Sequence, residues 1–470
     1  MNDLIKPRLL IPLTVQFSVR YVIRTGLLEM IRKYATPVIV IAWEDDALQQ
    51  ELSDLGIENY RYPQKKIGRN YLRVLMQLTQ WHLHKIQSPT TEIDRRRNKL
   101  INPPPKRRIL RDWLYAFLTR IPVYRNFLFK QQRKLLWTDT NFTEYLEFIH
   151  RIKSDLIFCL TPYFIEEEFL LRAGQELWLP MCTSILSFDN LTTRGIIPIL
   201  FNEYYLWNSF NESELVRIYP QTKDRVIKIV GAPQFDFYYQ PEYLWSEKSW
   251  RKKLMIPESR PVILFSSTGR HIAPNEEEWL RHLDWAIETD EISGNPVILF
   301  RRHPNETMDR WENLKKASKN IIFDEPWKAG RIIPGKTNIT RDDIEKLSSS
   351  LAYSVVHINA SSTMTVDGAI FNKPQIGPAY AETGNFQRVD EELYLREHYL
   401  PITNSGGLVI VHSRTELIEA VNVAITNPEF NGKNRQLIVR EICTYPDGKS
   451  TIRVNEALAG FVYRYAQVQK

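Results

Sequence analysis

The 470-residue chain is poor in cysteine: Cys159, Cys182 and Cys443 are all it has, and they stand far apart. Such spacing builds neither a disulfide framework nor a metal site, which points to a reducing compartment. Long apolar runs are missing too. None approaches the roughly 18 residues that would read as a transmembrane helix, and the first thirty residues alternate apolar and charged groups instead of forming a signal-peptide core. The expectation is a cytoplasmic protein that does not span a membrane. Internal repeats and low-complexity tracts are also absent, and no His, Cys or carboxylate cluster shows metal-ligand spacing. Neither a metal nor a cofactor is expected. What is present is core material: 43% hydrophobic and 12% aromatic residues suffice for two or three folded domains.

Charge is concentrated. Residues 94–134 carry thirteen Lys and Arg against two Asp, a net +11, where the whole chain carries only +7. The same stretch interleaves Trp113, Tyr115, Phe117, Tyr124, Phe127 and Phe129, and sets Leu110, Trp113, Leu114, Phe117, Leu118 and Ile121 on one helical face. Three readings fit: a helix packed on its domain with a solvated basic side, a basic amphipathic helix on an anionic membrane, or a single-stranded nucleic acid surface. No recognised nucleic-acid motif accompanies the pattern, which weighs against the last.

The hydrophobic pattern opens in a βαβ rhythm, with strands at Arg8–Leu13 and Val38–Trp43 around a helix at Ile23–Tyr34. A basic, proline-interrupted insertion at about 80–137 breaks it. The rhythm resumes with strands at Leu156–Leu160, Met181–Leu186, Glu203–Trp207 and Val226–Val230 and a helix through Glu166–Arg172. Residues 241–260 are polar and Trp-rich with no strand pattern, and read as a linker. A second α/β unit follows, with a late strand at Leu408–Val411 and a helix at Glu416–Thr426. The terminal segment, 451–470, is predicted as a closing helix.

Three predicted strands of the second unit end in groups suited to an anion. Pro261–Phe265 runs into Ser266, Ser267, Thr268 and Gly269; Pro296–Phe300 runs into Arg301, Arg302, His303 and Pro304. The third, Tyr353–Ile358, stops at Asn359-Ala360 and then Ser361, Ser362 and Thr363, ahead of a helix placed by Val366, Ala369 and Ile370 and stopped at Lys373-Pro374. Hydroxyls and backbone N–H groups at a helix start suit a phosphate, and open α/β sheets bind ligands at the carboxyl ends of their strands. Ser361 or Ser362 acting only as a helix cap is the plain alternative.

The His-Pro after one strand and the Ser-Ser-Thr, acidic residue and Lys-Pro after the next resemble the donor half of GT-B glycosyltransferases of bacterial surface-polysaccharide type. Polysialyltransferases and CDP-glycerol glycerophosphotransferases are relatives of that group. Ser184–Gly195 (SILSFDNLTTRG) resembles the SWDNLTSKG segment of capsule-type members, with Phe188 in place of Trp, and Gly231-Ala232-Pro233-Gln234-Phe235-Asp236 resembles their GxPxFD turn. Together these motifs cover about half of the chain.

The resemblance implies an α/β protein of GT-B fold, with two Rossmann-like domains facing each other across a cleft. Residues 1–240 would form the acceptor domain with the basic insertion, and 261–450 the nucleotide-donor domain. It implies a metal-independent transferase that takes a nucleotide-sugar donor and a saccharide or lipid-linked acceptor, working on the inner face of the plasma membrane if the acceptor is lipid-linked. Glycerophosphate transfer, sugar-nucleotide epimerisation and a non-catalytic binding role are the alternatives. On the donor side, His303 would hold the phosphate and act as acid toward the leaving group, beside Arg302, Ser266, Ser267, Thr268, Gly269, Ser361, Ser362 and Thr363. Asp367 stands where many such enzymes carry a ribose-binding Glu. On the acceptor side Asp189 is the candidate base, with Arg20, Asn190, Thr193 and Arg194 near it, and Glu166, Glu167 and Glu168 as alternatives.

Overall fold

The computed structural model describes residues 6–63, 79–84, 88–101, 103–138, 140–270, 272–304, 306–326, 338–382 and 390–466. It divides into two compact units: residues 1–92, 103–234 and 449–470 form the first, and residues 93–102 with 235–448 form the second.

The first unit is built on a seven-stranded parallel sheet: β1 (Arg8–Leu13), β2 (Thr36–Ile41), β3 (Glu58–Arg61), β4 (Leu156–Cys159), β5 (Met181–Ser184), β6 (Glu203–Leu206) and β7 (Val226–Ile229). Their order across the sheet is β3-β2-β1-β4-β5-β6-β7. That is doubly wound order, reversing between β1 and β4. β1, β2 and β4 to β6 are buried on both faces, which is why they read as continuous apolar runs. β3, with the sequence ENYR, is a half-buried polar edge and gives no such signal. The helix expected at Ile23–Tyr34 is interrupted: a helical turn Gln16–Val19 and a π-helical turn Arg20–Arg24 come first, and Gly26, at φ +78°, breaks the chain before Leu27–Ile31. The closing helix, Ser450–Ala466, packs its Val454, Leu458, Phe461 and Val462 into this unit's core. The last residues expected in that helix, 467–470, lie outside the described residues.

Within the insertion, helices run at Pro89–Ile101, Lys106–Leu118 and Pro122–Thr138, and Thr140–Ile152 leads into β4. The apolar stripe of Lys106–Leu118 faces solvent: Leu110 is 69% exposed, Trp113 67% and Phe117 52%, and of this helix Tyr115 alone is buried. The reading of a helix packed through that face onto its domain is therefore incorrect. Residues 93–102 belong to the second unit, where Asp94 accepts the Arg396 guanidinium at 2.6 Å.

The second unit has a six-stranded parallel sheet: β8 (Val262–Ser266), β9 (Val297–Arg301), β10 (Ile321–Asp324), β11 (Val356–Ile358), β12 (Gln375–Pro378) and β13 (Leu408–Val411). Their order, β10-β9-β8-β11-β12-β13, repeats the doubly wound pattern with its reversal between β8 and β11. The segment 241–260, expected as a linker, belongs to this unit. Trp245 and Trp250 hydrogen-bond through their indoles to Glu345 and Ser350 of the helix Arg341–Tyr353. That helix also takes up Tyr353, so β11 starts three residues later than the apolar run suggests.

Candidate functional site

At a reversal in strand order the two flanking connections leave in opposite directions and open a crevice at the strands' carboxyl ends. In the second unit that crevice lies outside β8 and β11, with β9 next to β8. The register pairs Ser266 with Arg301 and Phe265 with both Phe300 and Ile358. The three motif-bearing strand ends are thus neighbours, as the sequence led one to expect.

The turn after β8 joins the other two. Thr268 donates its hydroxyl to the Ala360 carbonyl after β11 at 3.0 Å. Gly269 lies against the His303 ring, whose Cγ and Nδ1 are 3.8 Å from where a β-carbon would stand. Gly269 sits at φ +98°, open to glycine and strained for any other residue. His303 itself follows β9 and is partly exposed, and its carbonyl accepts the Glu306 N–H at 3.0 Å.

Two carboxylates hold this turn. Glu276, fully buried at the start of the helix Glu276–Glu288, accepts the Thr268 N–H at 2.5 Å and the Ser267 hydroxyl at 2.8 Å. Glu306 accepts the Arg270 N–H at 2.7 Å, and Arg310 bridges the pair at 2.9 Å from Glu306 and 3.4 Å from Glu276. Burial pushes the Glu276 carboxyl up to about 7 despite the neighbouring Arg310. Ser267 and the Thr268 amide, expected on a phosphate, are therefore committed to protein carboxylates. Ser266 is buried at the strand end. The partners Glu276 and Glu306 escaped sequence reasoning because nothing local marks them.

Arg302 differs from expectation in a similar way. It is buried, ion-paired to Glu325, and its neighbour Arg301 pairs with Asp324 at 2.9 Å. Both guanidiniums brace the ends of β9 and β10. His303, the third basic side chain of this motif, is partly exposed with its ring beside Gly269.

After β11 the chain turns sharply. Ser361 adopts φ +49°, left-handed for a residue with a β-carbon, and gives its hydroxyl to the Leu393 carbonyl at 3.1 Å. Such turns cost of order 1 kcal/mol and concentrate at functional sites. Asn359 organises the turn: its Oδ1 accepts the Ser362 N–H at 3.1 Å and the Thr365 hydroxyl at 2.9 Å. Ser362 and Thr363 are half-buried, and the Ser362 hydroxyl accepts the Met364 N–H at 3.3 Å. The helix that follows is only seven residues, Met364–Ile370, so local donors rather than a long helix dipole define this end. Asp367 is buried and accepts the Tyr238 hydroxyl at 2.5 Å, so its carboxylate is engaged within the unit rather than offered to a ribose.

In the first unit, Asp189 opens a single helical turn, Asn190–Thr193. Its carboxylate accepts from the Asn190 amide and the Thr193 hydroxyl, each at 3.1 Å, as a turn-stabilising Asp does. Asn190 is buried and accepts the Tyr163 hydroxyl; Arg194 is exposed, its guanidinium 6.0 Å above the Phe164 ring. Gly195 is required here, since a β-carbon would lie 2.4 Å from the Tyr163 carbonyl. Arg20 is buried in the π-helical turn after β1 and donates to the Gln234 carbonyl at 2.6 Å. Glu167 is buried where the strand order reverses, accepting from Thr14 at 2.7 Å and from Thr161 and Cys159, and Glu168 pairs with Arg172 at 3.0 Å. These two alternatives are structural groups. Burial first, and neighbouring carboxylates after it, raise the thiols of Cys159, Cys182 and Cys443, all of them unbridged core residues.

A cavity of about 260 Å³ lies at the far edge of the second sheet, lined by Ile376, Val409, Val411, Val423 and Arg435. It is apolar and contains none of the groups above.

A family model described as CDP-glycerol:poly(glycerophosphate) glycerophosphotransferase matches residues 202–460, more than half of the chain. No curated protein is similar to the chain by sequence. Solved structures similar over nearly its whole length include the S. aureus MnaA–UDP co-structure, 11% identical over 97% of this chain and 97% of that one with a TM-score of 0.56. UDP-GlcNAc 2-epimerase from Neisseria meningitidis bound to UDP-GlcNAc is 12% identical over 96% and 100%, with a TM-score of 0.55. The wall teichoic acid polymerase TagF, soaked with CDPG, is 12% identical over 99% and 91%, with a TM-score of 0.51. At these identities the likeness is one of fold: two doubly wound α/β units in one chain, the GT-B architecture.

Proposed function

The chain belongs to the CDP-glycerol:poly(glycerophosphate) glycerophosphotransferase family, and from that premise we propose that it transfers a group from a nucleotide-diphosphate donor to a hydroxyl of a surface-polymer acceptor. CDP-glycerol is the donor to test first, and nucleotide-sugars are the alternative donor class. The observation that carries the reading is the meeting of His303, Gly269 and the Ser361–Thr363 turn at the strand-order reversal of the unit that the family model covers.

With CDP-glycerol the acceptor oxygen attacks the phosphorus that bears glycerol, the bond to the bridging oxygen breaks, and CMP leaves. The acceptor hydroxyl gives up its proton and the departing phosphate gains negative charge. His303, partly exposed beside Gly269, donates to that phosphate, where preorganised donors contribute most. The Ser362 and Thr363 hydroxyls add neutral donors. Protein donors, not an ion, are the groups assigned to the phosphate. Asp189 is the acceptor-side base to test; hydrogen bonds from Asn190 and Thr193 fix its carboxylate.

The helix Lys106–Leu118 supports work at a membrane surface. Its exposed Leu110, Trp113, Leu114 and Phe117 recur at i, i+3, i+4 and i+7, with Lys106, Arg107, Arg108 and Arg111 exposed on the same helix. Among the described residues no helix is long and apolar enough to cross a bilayer, so the association proposed is peripheral, on anionic lipid. Transfer from labelled CDP-glycerol, with release of CMP, tests the activity. Turnover of UDP-sugars without CMP release from CDP-glycerol would move the chain to the alternative class.

A further inference from the structure

Glu278 and His282 stand four residues apart on the helix Glu276–Glu288, so their side chains leave the same face one turn apart. Glu382 reaches them from the segment after β12. One ligand atom from each of the three lies within 4.8 Å of the other two. His282 Nε2 is 3.5 Å from Glu382 Oε2, long for a hydrogen bond. The spacing matches instead the roughly 3.4 Å edge of a tetrahedron around an ion with bonds of about 2.1 Å.

The ligand atoms are held from behind. His282 Nδ1 is 3.0 Å from the Tyr380 hydroxyl, and its ring lies parallel to the Tyr380 ring, 2° between planes. Tyr380 is buried and its carbonyl accepts the Trp279 indole at 2.9 Å. A partner on the second imidazole nitrogen is what fixes the orientation of a metal-binding histidine. Glu278 Oε1 accepts the Glu382 N–H at 2.7 Å, which draws the two carboxylates together.

Two carboxylate oxygens and an imidazole nitrogen thus converge. Glu382 is largely exposed, which leaves room for water on the open side.

We propose that Glu278, His282 and Glu382 bind one zinc-type divalent ion, with one imidazole nitrogen and two carboxylate oxygens as protein ligands. The ion ties the segment after β12 to the helix that begins with Glu276, and so steadies the element that holds the turn after β8. Sequence alone gave no sign of it, because the third ligand comes a hundred residues after the second.

The test is titration of the chelator-treated full chain with Zn²⁺ by calorimetry and with Co²⁺ by visible absorption. Wild type binds one ion per chain and melts higher in Zn²⁺. His282→Ala and Glu382→Gln, both folded by circular dichroism, bind at least about tenfold more weakly and lose the absorption band. Glu382→Gln changes an exposed residue, so it reports even if His282→Ala fails to fold. Absence of saturable one-to-one binding in wild type, or unchanged affinity in Glu382→Gln, overturns the proposal.

Discussion

The exposed stripe on the helix Lys106–Leu118 yields a prediction in which folding and docking separate. Leu110, Trp113 and Phe117 are 69%, 67% and 52% exposed. At these exposures roughly 100 Å² or more of each side chain stands in water. Moving that area into lipid at ~25 cal/mol per Å² gives about 2.5 kcal/mol per residue at full insertion. Incomplete insertion halves this, so the triple variant Leu110→Ser, Trp113→Ser, Phe117→Ser should lose about 4 kcal/mol of membrane partitioning, roughly a thousandfold. The fold should hardly notice, because surface substitutions away from special features usually fall within about 0.5 kcal/mol. Lys106, Arg107, Arg108 and Arg111 each add ~1 kcal/mol of attraction to anionic lipid, screened by salt. Liposome co-sedimentation is the assay, on neutral and anionic vesicles at two salt concentrations, with urea midpoints alongside. The reasoning fails if wild type sediments equally with both vesicle types, or if the triple variant binds anionic vesicles as wild type does. A large drop in urea midpoint would show the stripe buried against protein instead.

Gly269→Ala should keep the fold, at a cost of about 1 kcal/mol for its left-handed backbone, while activity falls by more than stability explains, because relieving that backbone shifts the turn that lies in van der Waals contact with the His303 ring; unchanged turnover would show that the placing of this turn does not matter. At Ser361 the left-handed turn favours glycine, so Ser361→Gly should melt higher than Ser361→Ala, both having lost the bond to Leu393; the opposite order in calorimetry would contradict the strained backbone. Glu276 predicts a pH effect. Its folded carboxyl is raised to about 7, so the folded state holds the proton more tightly than the unfolded chain does. The stability this contributes is fully present below the ordinary carboxyl range and is lost as pH rises through about 7. Urea midpoints of wild type should therefore fall between pH 5 and 8 relative to those of Glu276→Gln; parallel curves would refute it.

What the sequence made legible depended on locality. Pro261–Phe265 and Pro296–Phe300 are short, apolar and bounded by turn residues, so buried parallel strands were the only economical reading, and their adjacency followed from the doubly wound rule. The polar strand Glu58–Arg61 offered no such pattern, since an edge strand needs few apolar residues. Gly26 stops a helix that the apolar spacing alone would have continued. At the site, His303 and Gly269 were foreseeable from the strand ends, but the commitment of Ser267 and Thr268 to Glu276 was not, because a hydroxyl suited to a phosphate is equally suited to a carboxylate. Arg302 was misread for a similar reason: a charge at a strand end can face the crevice or, as here, Glu325. The helix Lys106–Leu118 shows the other blind spot. Amphipathic spacing tells which residues share a face, and only the structure tells that the face looks outward.

The central claim is transfer from a nucleotide-diphosphate donor through His303, and it is tested most directly by following CMP release and acceptor labelling from radiolabelled CDP-glycerol in wild type and His303→Ala. The account predicts acceptor-dependent CMP release by wild type. It predicts a loss of about 10²–10³-fold in rate for the variant, with its melting temperature unchanged. Acceptor-dependent release at the wild-type rate by a folded His303→Ala protein would contradict it.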